Sequence, residues 1–127
     1  MRYDDYLYMI FRVGIGGLFF MFGVQKLFGL WGIPAASFGT LIWFAGMGEF
    51  LIGLALVVGV LTRIASFFGV IEMLVAYLMG HVATGGWNPA VNQGIPALVF
   101  MLAFFATMAH GAGKASLERL LFGRELL

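Results

Sequence analysis

Four apolar stretches, at about residues 7–28, 41–61, 64–83 and 95–112, dominate the chain, and each nears the ~20 residues with which a helix crosses ~30 Å of hydrocarbon. No water reaches a bilayer core, so backbone N–H and C=O groups there must pair within the protein, which leaves helices or a closed barrel. The stretches do not alternate apolar with polar residues, as barrel strands do. The sequence therefore predicts an all-α fold, a polytopic membrane four-helix bundle. Composition agrees: 62% of the 127 residues are hydrophobic and only 10% charged, against about a quarter charged in a soluble domain. Four spans with short connections use up residues 1–127, so one transmembrane domain is expected.

The breaks between spans are legible. "LFGLWGIPAASFG" carries Gly29, Gly32 and Pro34, and "HVATGGWNPAVNQGIP" carries Gly85, Gly86, Asn88, Pro89 and Gly94. "LTR", at 61–63, is so short that the second and third spans must form an antiparallel hairpin. Arg2, Arg63, Lys114, Arg119 and Arg124 collect on one side, with Arg12 a little way into the first span, while the other side holds only Lys26. Under the positive-inside rule both termini are cytoplasmic. The tail 114–127 mixes Leu117, Leu120, Leu121 and Phe122 with charges, as an amphipathic helix on the membrane surface would. The start, "MRYDDYLYMIFRVG", shows no small-residue cleavage site, so the first span is expected to be retained.

With no cysteine, the chain offers no thiolate chemistry of its own. His81 and His110 belong to opposite membrane faces, which argues against a shared metal or haem. No basic cluster suggests nucleic acid. The expected partners are the bilayer and other membrane proteins.

Charges inside the spans are the candidates for function, because each costs several kcal/mol in hydrocarbon and normally faces a partner, a cavity or water. At 100° per residue, Arg12, Gly16, Phe19, Gly23 and Lys26 share one face of the first helix. Glu49 shares a stripe with Ala45, Gly53 and Leu56, and Glu72 with Ala65, Phe68, Ala76 and Met79. By the ~1.5 Å rise, Arg12 lies about 8 Å and Glu72 about 12 Å from the inner edge, so an Arg12–Glu72 ion pair is expected. Glu49 is the more isolated carboxylate, with Gln25 and Lys26 the nearest polar groups. Lys26, Gln25 and Glu49 form the candidate interior site.

"GGLFFMFGVQKLFG" resembles the first-helix signature of the DoxX family of small membrane proteins. "GEFLIGLALVVGVLTRIASFFGVIEMLVAYLMGH" resembles that family's central hairpin, and "NQGIPALVFMLAFFATMAHGAGKASLE" its ending. Lys26, Glu49 and the turn residue Arg63 match family motif positions. Phe22 stands where many relatives have a histidine, Ile95 and Pro96 where a glutamate is common, and Glu118 where an aspartate follows the Gly-x-Gly-Lys stretch. The resemblance implies a redox-associated membrane subunit, since relatives include the small subunit of thiosulfate:quinone oxidoreductase. The first expectation is thus the membrane part of a quinone-linked, sulfur-compound oxidoreductase, with quinone near Lys26 and Glu49 and no covalently bound cofactor. Alternatives are an accessory subunit of a respiratory or photosynthetic complex, and a small proton-linked transporter built on Glu49 and Glu72.

Overall fold

Gly29, Thr40 and Gly59 set the ends of the first two helices. In the computed structural model, which describes residues 1–126, all regular structure is helical. Helix α1 spans Tyr3–Phe28 and starts earlier than the apolar run because Asp4 and Asp5 complement its N-terminal dipole, with the Arg2 backbone N–H donating to Asp5 Oδ2 at 2.8 Å. It stops at Gly29 in the left-handed conformation, φ 68°. Helix α2, Leu41–Val58, is entered through Thr40, whose hydroxyl accepts the Trp43 N–H at 3.3 Å, and it ends at Gly59.

The predicted hairpin is present: Gly59–Leu61 turns the chain directly into α3, Thr62–Gly85. This third helix is not α-helical throughout as expected. It is α over Thr62–Val75, widens to a π-helix over Ala76–Val82, and closes with an α turn at Ala83–Gly85. The wider turns bring Tyr77 and His81 onto the loop that follows. A short α4, Pro89–Asn92, leads to α5, Ile95–His110, and the tail holds α6, Leu117–Phe122. Helix α5 therefore ends at His110, two residues before the 112 expected for the fourth stretch, and is closed by Gly111 with φ 80°. Among the described residues, the tail is helical for six, Leu117–Phe122.

Helices α1, α2 and α3 are long and apolar enough to cross a membrane, and α5 is a shorter apolar helix. In lipid there is no hydrophobic drive between helices, so close packing must hold them. Gly16 and Gly23 on α1 meet Gly53 and Gly46 on α2. A Cβ at Gly23 would stand 2.5 Å from the Phe50 amide nitrogen, and one at Gly53 2.5 Å from that of Phe20, so no side chain fits at either position. On the other pair, Gly69 of α3 receives the Phe104 ring of α5, and a buried Ser66–Thr107 hydroxyl contact of 2.6 Å joins the two helices. Phe19 ties the pairs together, with its ring edge-on to Phe104 at 4.8 Å.

Candidate functional site

Where Gly46 lets α1 and α2 touch, Lys26 and Glu49 face each other. Lys26 Nζ donates to Glu49 Oε1 at 2.8 Å. Glu49 is 4% exposed and its Oε2 has no partner. Lys26 keeps part of its stem in the open, and its ammonium lies 5.4 Å from the centre of the Phe22 ring. From α3, Glu72 lays its carboxyl against the bare Cα of Gly48, the only kind of residue that leaves room for it. Glu72 Oε2 is also buried without a partner, and among the described residues Glu72 forms no ion pair. Three helices thus contribute one ammonium and two carboxylates. Their formal sum is −1, and a single proton makes the cluster neutral.

Gln25, next in the chain to Lys26, turns about 100° away from it. With Leu18, Met21, Phe22 and Phe100 it lines an open groove of about 230 Å³. Among the described residues, its side-chain amide has no hydrogen-bond partner. Phe22 belongs to both features, lining the groove and lying under the Lys26 ammonium.

The expected Arg12–Glu72 pair is not formed. Arg12 Nε donates to Leu56 O at 2.8 Å, Nη2 to Ala115 O at 3.0 Å, and Nη1 to Ala112 O. The physical reason is local: the last carbonyls of α2 and the turn after α5 lack intrahelical donors beside Arg12, and α1 packs on α2 rather than on α3. Glu49, read from sequence as the isolated acid, is the paired one. Arg63 also serves carbonyls, donating to Met108 O at 3.1 Å, Ala109 O at 2.6 Å and His110 O at 3.3 Å, and so caps α5.

Two polar groups had gone unnoticed as organisers. Glu118 is 0% exposed, its Oε1 accepting the Leu61 N–H at 2.9 Å at the start of α3, so the tail is docked on the hairpin rather than lying free. Its signal was an acid in a tail that is otherwise mostly basic. At the opposite end, Asn92 donates to Gly86 O at 2.8 Å and to the Tyr77 hydroxyl at 3.2 Å, and accepts from Gly94 N at 2.8 Å. Tyr77 donates in turn to Trp87 O at 2.6 Å, and His81 Nδ1 lies 3.0 Å from Asn92 O. His110 stacks on Tyr8 with centroids 3.8 Å apart. The two histidines are at opposite ends of the molecule.

Helices of spanning length, with a charged triad set between them, define a multi-pass helical membrane protein. The chain matches the DoxX family model over residues 7–82, more than half its length, and it belongs to that family. Lys26, Glu49 and Arg63 all fall within the matched region. The chain is 29% identical, over 127 residues and 95% of each chain, to an uncharacterised protein of Haemophilus influenzae. No solved structure matches it.

Proposed function

We propose that this protein is a membrane subunit of quinone-linked redox machinery, with the Lys26–Glu49–Glu72 cluster as the proton-bearing side of a quinone site. The observation that carries this reading is the pair of unpartnered buried carboxylate oxygens, on Glu49 and Glu72, together with an open groove that carries a free amide and shares Phe22 with Lys26. Two orphaned acid oxygens beside one cation are costly in a medium without water. The groove is smaller than the ~300–1,000 Å³ of drug-sized pockets. It suits a quinone ring, with the isoprenoid tail left in lipid.

A bound quinone supplies two-electron, two-proton chemistry. Gln25 is placed to donate a hydrogen bond to a ring carbonyl oxygen. Phe22 and Phe100, packed edge to face with centroids 5.7 Å apart, offer one apolar wall. The cluster holds or releases one proton at Glu49 or Glu72, with Lys26 compensating the charge that remains. With no cysteine in the chain, electrons come from a partner oxidoreductase, and the resemblance in sequence favours one acting on sulfur compounds. In this reading α1, α2, α3 and α5 form a four-helix transmembrane bundle with both termini cytoplasmic.

A second reading has one observation behind it: the 2.8 Å Lys26–Glu49 contact is already closed, as a register pin in an accessory subunit would be. Gentle purification from the native membrane, with mass spectrometry of the bound quinones and the co-purifying proteins, separates the two. Quinone held near one per chain together with an oxidoreductase supports the proposal. A fixed partner and no quinone contradicts it.

A further inference from the structure

At the end that carries both termini, α1, α2 and the tail enclose an open cleft of about 800 Å³. Val13, Val57 and Val58 give it an apolar floor, and Arg12, Lys114 and Arg119 give it a basic rim. No aspartate or glutamate lines it.

Arg12 carries the argument. It is 2% exposed, and each of its three nitrogens donates to a backbone carbonyl. A guanidinium has five N–H groups, so two remain unused. Among the described residues no carboxylate comes within salt-bridge distance of it, so a buried cation is surrounded by carbonyl dipoles but lacks a counter-anion, an expensive arrangement in a low dielectric. The other two rim cations are loosely held. Lys114 Nζ is 3.8 Å from Asp5 and Arg119 Nη2 is 3.4 Å from Glu125, both with much of the cation exposed, and such pairs contribute little. Arg119 Nε is buried with no partner at all.

The geometry points to a site for an anionic phospholipid, its phosphate between Lys114 and Arg119 above the buried Arg12 and an acyl chain along the valine floor. Cationic groups meet the phosphate oxygens through charge-assisted hydrogen bonds, and basic pockets between membrane helices bind anionic headgroups on this principle. The valines explain why a lipid, rather than a free anion, fills the cleft. The site lies at the opposite end of α1 from Lys26 and does not depend on the quinone reading.

The test is native mass spectrometry of the full chain in a zwitterionic detergent, with phosphatidylglycerol or phosphatidylcholine added in equal amounts. Retained phosphatidylglycerol should exceed retained phosphatidylcholine, and each of Lys114→Gln and Arg119→Gln should lower that retention about fivefold, the effect of roughly one cation at a membrane surface. Because Arg119 also touches Glu125, unfolding temperatures are compared without added lipid, and Lys114→Gln alone decides the matter if Arg119→Gln loosens the tail. Equal retention of the two lipids, or undiminished phosphatidylglycerol on Lys114→Gln, overturns the proposal. So does inorganic phosphate that displaces phosphatidylglycerol and stabilises the protein equally, because the site would then serve a free anion.

Discussion

A carboxylate as buried as that of Glu49 is tolerable beside a cation, and Lys26 supplies one from a position that still touches the outside. The two partners are therefore unequal. Glu49→Gln leaves a lysine that can turn outward, and should cost about 1 kcal/mol. Lys26→Met leaves Glu49 and Glu72 with no cation between them, and should cost about 3 kcal/mol. Unfolding in mild detergent measures both, and equal losses would show that the charges around Lys26 have been misread. Glu118→Ala should cost about 1–3 kcal/mol by taking the acceptor from the Leu61 N–H and undocking the tail from the hairpin. A loss within 0.5 kcal/mol, again by unfolding, would mean that water replaces the carboxylate. The faces of Arg12, Lys26, Glu49 and Glu72 were readable from helical periodicity, but their partners were not. Depth along the helices suggested Arg12 for Glu72, whereas unpaired carbonyls at the helix ends are nearer to Arg12.

Helix pairing here rests on where a side chain is absent. Gly53→Ala would put a Cβ 2.5 Å from the Phe20 amide and should cost about 1–3 kcal/mol by overpacking. Gly17→Ala has nothing within 4 Å and should be neutral or stabilising by up to about 1 kcal/mol. Thermal unfolding of the two variants side by side checks this contrast, and similar behaviour would contradict the α1–α2 contact. Small residues in every span were visible in the sequence, but not which of them touch a neighbour. The end of α1 at Phe28 and the start of α2 at Leu41 were legible, whereas α1 begins four residues before the expected 7 and α2 ends at Val58, three before the expected 61, where Gly59 turns left-handed. The π turns of Ala76–Val82 were hidden, since they accompany the bonds that Tyr77 and His81 make to the loop that follows, which periodicity within the span does not register.

For the whole molecule, a chain without cysteine offers clean single-cysteine reporters of topology. Ser37→Cys, in the loop after α1, should react with an impermeant maleimide in intact cells, and Leu126→Cys only after permeabilisation. The reverse pattern would invert the assigned orientation. The two ends of the molecule differ in kind: arginines and Glu118 bind helix ends and tail together at one, and the Asn92 network ties the long loop at the other. The Lys26–Glu49–Glu72 cluster sets two unsatisfied acid oxygens beside one cation, which is why the quinone site is proposed there. The measurement that tests this most directly is the quinone-to-chain ratio after gentle purification of the wild type, Glu49→Gln and Gln25→Leu, with unfolding temperatures taken in parallel. A ratio near one that falls several-fold in both variants, while the fold persists, is the predicted result. A wild type without quinone, or one whose quinone is indifferent to both substitutions, would contradict the account.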